Sequence, residues 1–235
     1  MDKKDTKSEI IDFLKDLVWI VVIVIVIRTF IAEPFQISGQ SMADSYYDRE
    51  FIIVDRFTYL DIPFIKDWEI KRWDVVVFKP WVNRDKEYFI KRVIGLPWDS
   101  IKIKDWLVSL KISWTDDFIE LDEKYLNSSN NWNTKVGQLK TEHNYSVPEG
   151  EYFVVWDNRN HSSDSRTCFS FSCNGTTKDS FIPKNQITGR LLIDLGYFNF
   201  SNFSFKHSWK WQPQLKWIDT SPRWFSSPGT YDYWL

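Results

Sequence analysis

The chain has 235 residues, of which 43% are hydrophobic and 26% are charged, and its formal net charge at pH 7 is -2. This composition supports one domain with a hydrophobic core, plus a small insertion, and excludes a wholly disordered chain. The nearly neutral charge gives no reason to expect a nucleic acid as partner. Three scattered histidines and two cysteines offer too few ligands for a metal site, and we expect no cofactor.

The first distinctive segment is an unbroken apolar run from Leu17 to Ile27. This run alone is too short for a bilayer with roughly 30 Å of hydrocarbon. Extension to Ala32 gives a segment, residues 17–32, in which the long stem of Arg28 can carry its charge to the headgroups. A cleavable signal peptide and a buried core helix are the alternatives. The preceding region is mixed in charge and the run has no polar face, so the pattern favours one retained transmembrane anchor.

The flanks of this segment predict its orientation. Residues 33–48 contain no Lys or Arg, whereas four lysines precede the run: Lys3, Lys4, Lys7 and Lys15. Positive charge stays on the cytoplasmic side of a membrane. We therefore expect residues 1–16 in the cytoplasm, a single pass through the cytoplasmic membrane, contact with its lipid, and an extracytoplasmic domain from Glu33 onward.

The rest of the chain has the pattern of a mainly β protein. Short runs rich in β-branched and aromatic residues predict strands at Phe51–Val54, Asp74–Phe78, Tyr88–Ile90, Ile101–Lys104 and Glu151–Val155. We expect a first core part at 33–103, a more polar inserted hairpin or subdomain at 104–146, and a second core part at 147–196. Residues 197–235 form an irregular aromatic tail in this prediction, because prolines interrupt it.

Two residues stand out as candidates for catalysis. Ser41 follows the apolar segment closely, and Lys91 lies between apolar runs. A serine hydroxyl needs a nearby base, and a lysine can serve only if burial lowers its pKa. His143, His161 and His207 are alternative bases, and an exposed basic pair is the alternative interpretation of Lys91 and Arg92. Cys168 and Cys173 could either close one small loop or remain unpaired.

A series of ordered motifs spans about residues 17–195. The apolar segment leads through Ile27-Arg28-Thr29-Phe30 and Glu33-Pro34-Phe35 to a nucleophile motif, Ser38-Gly39-Gln40-Ser41-Met42. The remaining motifs are Lys71–Phe78, the base motif Ile90–Asp99, and the pair Val147–Phe153 and Trp156–Arg166. Each is moderately specific, and in this order they resemble the type I signal peptidase family.

The resemblance implies a membrane-anchored serine endopeptidase with an antiparallel β-rich core that removes signal peptides from exported preproteins. Ser41 is then the nucleophile and Lys91 the general base. Ser162 holds the lysine amine, and Asp164 and Arg166 brace the site. Small residues precede the cut in the substrate, and the protein translocase is a further candidate partner.

Three features depart from what members of the family show. Ala43-Asp44-Ser45 replaces the usual sequence after the nucleophile, and Gly39 stands where some members supply a hydroxyl to the oxyanion. Tryptophan stands at the positions of turn glycines, at Trp73, Trp98 and Trp156, and Trp106 fits the same pattern. The chain has 14 Trp and only 8 Gly. We expect that these tryptophans are glycine in the organism, through a reassigned UGA codon.

Two other functions fit parts of the sequence. A catalytically inactive relative that binds exported segments is favoured if the tryptophans are real and distort the site. A self-cleaving Ser/Lys repressor has a related catalytic arrangement. The anchor argues against the repressor, as does the lack of a basic DNA-binding helix pair before the catalytic part.

Overall fold

The computed structural model describes residues 6–28, 32–43, 45–56, 69–80, 88–105, 107–121, 123, 126, 142–159, 163–169, 180–199, 203–206 and 223–224. In this part of the chain, one α-helix precedes two β-sheets. The neighbouring strands of both sheets are antiparallel. The predicted mainly β, antiparallel fold class is confirmed.

The helix α1, Thr6–Val26, begins well before the apolar run. Its first half carries five charged residues: Lys7, Glu9, Asp12, Lys15 and Asp16. The apolar side chains from Leu17 to Ile27 are 41% to 65% exposed. No helix in the described residues is both long enough and apolar enough to cross a membrane. Residues 29–31 lie outside the described residues, and the anchor at 17–32 stays a prediction.

The strands, in chain order, are β1 (Ala32–Gln36), β2 (Phe51–Asp55), β3 (Val75–Phe78), β4 (Phe89–Gly95), β5 (Ser100–Lys104), β6 (Leu107–Lys111), β7 (Ile119–Glu120), β8 (Glu142–Ser146), β9 (Glu151–Val155), β10 (Ile182–Pro183), β11 (Ile187–Asn199), β12 (Ser204–Lys206) and β13 (Arg223–Trp224). Five of them, β2, β3, β4, β5 and β9, confirm the five predicted strands.

The larger sheet places the candidate base in its interior. Its described strands follow the order β1-β2-β11-β3-β4-β9-β10, with β12 and β13 also paired to β11. Strand β4 lies between β3 and β9, and its Lys91 pairs with Val76 of β3. All four residues of β3 are buried. The apolar run around Lys91 therefore forms an interior strand, not an exposed edge.

The smaller sheet has the order β7-β6-β5-β8 and packs against the larger one. One core cluster contains Ile94 and Phe153 from the larger sheet and Ile101, Leu110 and Tyr145 from the smaller one. Strand β5 begins before the predicted insertion at 104–146, so the boundary at 103/104 falls inside a strand. The two sheets share one hydrophobic core.

The C-terminal region contains regular structure where the sequence predicts an irregular tail. Strand β11 continues to Asn199, beyond the predicted end of the core at residue 196. Strands β12 and β13 then pair with β11. Backbone pairing to a long neighbour stabilises such short strands, which have little pattern of their own. The bounds of the core and of the tail stay a prediction.

Two of the four suspect tryptophans have a backbone conformation that favours glycine. Trp73 has φ 74° and Trp98 has φ 73°. In this left-handed region the Cβ atom of an L-residue approaches the following carbonyl oxygen, and only glycine avoids this cost. Trp156 is not among the described residues with positive φ. Trp106 lies outside the described residues.

Trp73→Gly and Trp98→Gly should each stabilise the protein, by about 1 kcal/mol, because glycine relieves the left-handed backbone. The increase in stability should be larger at Trp98, which is 61% exposed, than at Trp73. The Trp73 side chain packs on the core, so its removal also loses packing. Trp114 is also exposed but lacks a positive φ, so Trp114→Gly is the matched control and should not stabilise. The midpoints of urea unfolding measure these stability changes. Equal effects at positions 98 and 114 would contradict a strained left-handed backbone at Trp98.

Candidate active site

Ser41 and Lys91 line the same cleft, which has a volume of about 820 Å³. Its lining includes two continuous segments, residues 35–41 and 88–91. Trp156, Asn158 and Ser163 complete the lining together with buried residues of the sheet floor. The sequence separates these pieces widely, and the larger sheet brings them together.

The turn that carries Ser41 is tied to the loop after β9. The backbone N–H of Asn158 donates to the Ser41 carbonyl oxygen at 3.0 Å, and its side-chain amide donates to the Gln40 carbonyl at 3.1 Å. Met42 is fully buried, and its carbonyl accepts from the Tyr46 N–H at 2.8 Å. Two backbone anchors and one buried side chain thus fix the position of the serine.

Lys91 is 2% exposed, and its Nζ donates to the Ile90 carbonyl oxygen at 2.8 Å. Its Nζ lies 4.7 Å from the ring centre of Phe89 and 4.3 Å from that of Trp156. Burial lowers the pKa of the Lys91 amine well below its ordinary value, although Asp164 and Asp157 oppose this shift. The amine therefore loses its proton at a lower pH than an exposed lysine does, and the neutral amine is the form that a general base needs.

Asp164 and Arg166 form a fully buried ion pair beside the cleft, with Nη2 2.7 Å from Oδ2. Asp164 also caps the 3₁₀ turn Ser165–Thr167 and accepts from the Trp156 backbone N–H at 3.2 Å. Burial raises the pKa of the Asp164 carboxyl, but the charge and hydrogen bonds of Arg166, with the Trp156 N–H, lower it below its ordinary value. The pair fixes the loop that follows β9.

A second buried ion pair, between Arg92 and Asp157, was not anticipated from the sequence. Arg92 Nη2 lies 2.6 Å from Asp157 Oδ2, and Nε donates to Oδ1 at 2.8 Å. The same guanidinium donates to Ser45 Oγ at 3.1 Å and to the Trp73 carbonyl at 2.9 Å. Arg92 thus links three parts of the chain: the turn that follows Ser41, strand β4 with Lys91, and the loop after β9. The only sign of this pair in the sequence was that two charged residues, Arg92 and Asp157, directly follow Lys91 and Trp156 in their motifs.

Other predicted site residues have different positions. Gly39 lines the cleft with φ 97°, and its N–H donates to Asp48 Oδ1 at 2.7 Å. Ser162 lies outside the described residues, whereas the neighbouring Ser163 lines the cleft. Cys168 is disulfide-bonded, and Cys173 lies outside the described residues.

Of the three candidate histidines, only His143 lies in the described residues. It belongs to strand β8 of the smaller sheet and stacks on Tyr145, with ring centres 6.2 Å apart. It does not line the cleft that contains Ser41. His161 and His207 lie outside the described residues.

The β core and its serine-containing cleft fit a hydrolase of the serine peptidase class. A family model described as "Signal peptidase, peptidase S26" matches residues 10–195. The chain therefore belongs to the signal peptidase family.

Relatives from bacilli and one solved structure are similar to the chain. Signal peptidase I of Bacillus amyloliquefaciens is 31% identical over 195 residues, covering 79% of this chain and 95% of that protein. Signal peptidase I P of Bacillus subtilis subsp. natto is 32% identical over 166 residues, covering 70% and 82%. A crystal structure of a signal peptidase I from Enterococcus faecalis V583 is 25% identical, covers 52% of this chain and 97% of that one, and has a TM-score of 0.37.

Proposed function

We propose that this protein removes N-terminal signal peptides from exported preproteins, with Ser41 as nucleophile and Lys91 as general base. The observation that carries the proposal is the shared cleft, which both Ser41 and a lysine whose pKa is lowered by burial line. Family membership supplies the substrate class.

The reaction proceeds by acyl transfer. The neutral Lys91 amine takes the proton of the Ser41 hydroxyl as Oγ attacks the scissile carbonyl carbon. When the C–N bond breaks, the ammonium returns the proton to the leaving amine. A water molecule, deprotonated by the same lysine, then attacks the ester carbonyl carbon. As the ester C–O bond breaks, the lysine ammonium returns this proton to Ser41 Oγ and the acid product leaves. The Ser41 backbone N–H is one donor for the oxyanion.

The shape of the cleft favours an extended substrate. Its lining includes the end of β1 and the start of β4, with apolar residues such as Phe35, Ile37 and Ile90. An extended segment can add to strand edges through its backbone, while shallow pockets select small side chains. Recognition therefore depends on residue size near the cut.

A test preprotein with alanine before its cut should be processed at that position by the full chain in detergent. Replacement of that alanine by phenylalanine should lower kcat/KM by about 10- to 200-fold, because a shallow pocket that selects small side chains does not accept the ring. Mass spectrometry of the products locates the cut. Equal processing of both substrates, or cutting at scattered positions, would contradict the proposed function.

The exposed apolar half of α1 supports a membrane location, with lipid as its partner. A helix that is apolar all round is not stable in water and needs a covering surface. We place residues 1–16 in the cytoplasm and the catalytic core outside, where preproteins emerge from the translocase. The lysines before the run support this orientation.

Protease added to spheroplasts should therefore digest the chain after Glu33 and spare a tag at Met1. Immunoblots with antibodies to the tag and to the core report both regions, and an endogenous cytoplasmic protein serves as the control for lysis. Protection of the core, or extraction of the full chain without detergent, would contradict this location.

A catalytically inactive, segment-binding relative remains the second candidate, because the Trp156 ring lies against the proposed base.

A further inference from the structure

Asn158 holds the two peptide groups that flank the proposed nucleophile. Its side-chain Nδ2 donates to the Gln40 carbonyl oxygen at 3.1 Å, and its backbone N–H donates to the Ser41 carbonyl oxygen at 3.0 Å. These carbonyls belong to the peptide group before Ser41 and to the one after it. The Gln40 carbonyl also accepts from the Ala43 N–H at 3.2 Å, within the turn itself. Asn158 thus links this turn to the loop after β9.

The loop that carries Asn158 is itself fixed on both sides. Asp157 forms the fully buried ion pair with Arg92. Arg159, which is 1% exposed, forms an ion pair with Glu123. Separation of either pair would leave a buried charge without its partner, which is strongly unfavourable. Asn158 therefore donates its two hydrogen bonds from a rigid support.

The bond from the side chain fixes the direction of the Ser41 N–H. A peptide group is planar, and in the trans form its C=O and N–H point to opposite sides. None of the described peptide bonds is cis. The Gln40 carbonyl and the Ser41 N–H belong to one peptide group, so the amide that holds the carbonyl also aims the N–H. No acceptor within the described ranges takes the Ser41 N–H, whereas the Gly39 N–H donates to Asp48 at 2.7 Å.

We propose that Asn158 is a positioning residue for the oxyanion: by holding the Gln40 carbonyl, its side-chain amide aims the Ser41 N–H at the oxygen that gains charge in the transition state. The inference rests on the proposed function, since it assumes that Ser41 attacks a carbonyl carbon. A hydrogen bond at the carbonyl also polarises the peptide group and makes its N–H a stronger donor. Because the charge develops only during the attack, the side chain should affect kcat rather than KM.

The kinetics of preprotein processing by the full chain in detergent test this role. Asn158→Ala removes the side-chain donor without adding charge, and it keeps the backbone N–H that donates to Ser41. We expect kcat to fall by about 10- to 100-fold, since loss of an oxyanion donor itself costs roughly 10²- to 10³-fold and here the donor is only misdirected. KM should stay nearly unchanged.

Three further variants make the test specific. Asn158→Asp keeps the shape without the donor and should also lower kcat, whereas Asn158→Gln keeps an amide and should recover part of it. Asn144→Asp makes the same chemical change at an exposed residue of β8, outside the residues that line the cleft, and should match the wild-type protein. The midpoint of the pH profile should not move in Asn158→Ala, because the side-chain amide does not act through Lys91.

The NMR signal of the Ser41 amide tests the inference without reference to activity. The nitrogen chemical shift of an amide responds to a hydrogen bond at the carbonyl oxygen of the same peptide group. In the full chain with isotope-labelled serine, the Ser41 signal is identified by its absence from Ser41→Ala. It should shift in Asn158→Ala and Asn158→Asp, and less in Asn158→Gln. The other serine signals verify that each variant is folded, and Asn158→Asp carries the test if the alanine variant is not.

A lower kcat with unchanged KM and pH midpoint, together with the shifted Ser41 signal, supports the inference. Wild-type kcat in both Asn158→Ala and Asn158→Asp, a rise in KM alone, a moved pH midpoint or an unshifted Ser41 signal overturns it. If no form cleaves the preprotein, the wild-type protein included, while the signal shifts, the proposed function alone fails. Normal cleavage by every variant rejects the inference alone.

Discussion

Ser41→Ala and Lys91→Ala should each abolish preprotein processing while leaving the fold intact. Ser41 supplies the only proposed nucleophile, and the reaction has no other base in the described cleft. Loss of one member of such a catalytic pair should lower kcat by at least about 10³-fold. Cleavage of a preprotein, followed by gel or mass spectrometry, measures the loss.

Two further variants sharpen this prediction. Lys91→Arg should also be inactive, because a guanidinium keeps its proton and cannot act as a base. Lys102→Ala is the control, since that lysine lies on β5 of the smaller sheet, outside the residues that line the cleft. Near wild-type turnover by Lys91→Ala would show that the assignment is wrong and would return a histidine to consideration.

Asp157→Ala should lower the free energy of unfolding by about 3–5 kcal/mol, because it leaves the Arg92 guanidinium charged and buried. Both side chains are fully buried, so water cannot replace the lost partner. Since Arg92 also binds Ser45 and the Trp73 carbonyl, processing should fall too. Urea unfolding measures the stability change.

A surface ion pair provides the matched control. Arg56 lies 3.2 Å from Glu33, and both side chains are partly exposed. Glu33→Ala should therefore cost only about 0–1 kcal/mol. A comparable loss of unfolding free energy in the Glu33→Ala and Asp157→Ala variants would contradict the prediction that the buried pair contributes more to stability than the surface pair.

Mass spectrometry of peptides from protein isolated from the organism identifies the native residue at the suspect tryptophan positions. We expect glycine at positions 98 and 156, because the left-handed backbone at Trp98 and the crowded cleft at Trp156 both disfavour an indole. Peptides that carry Trp at both positions would reject codon reassignment and favour the inactive relative.

The strands that could be predicted from sequence are those whose own residues carry the pattern. Strand β3 is continuously apolar, and β5 alternates buried and less buried residues. Strand β8 has the polar sequence EHNYS and forms through its pairing with β5. Strand β11 was missed because register shifts near Ile193 and Gly196 interrupt its alternation.

The candidate site was predicted in part, for a similar reason. Ser41 and Lys91 stand in recognisable local motifs, whereas the Arg92–Asp157 pair joins residues 65 positions apart. No local sequence pattern predicts which buried carboxylate will form an ion pair with a given arginine. The contact between Lys91 and Trp156 likewise depends on the pairing of β4 with β9.

The most direct test of the account is the pH dependence of kcat/KM for preprotein processing by the wild-type protein. The base must be neutral to act, so activity should rise with pH as the Lys91 amine loses its proton. Because burial lowers the pKa of this amine, the rise should be centred well below the value of about 10.4 for a free lysine, and activity should be lost on the acid side. A rise centred near the free-lysine value, or the same profile in Lys91→Ala, would contradict a buried lysine as the general base.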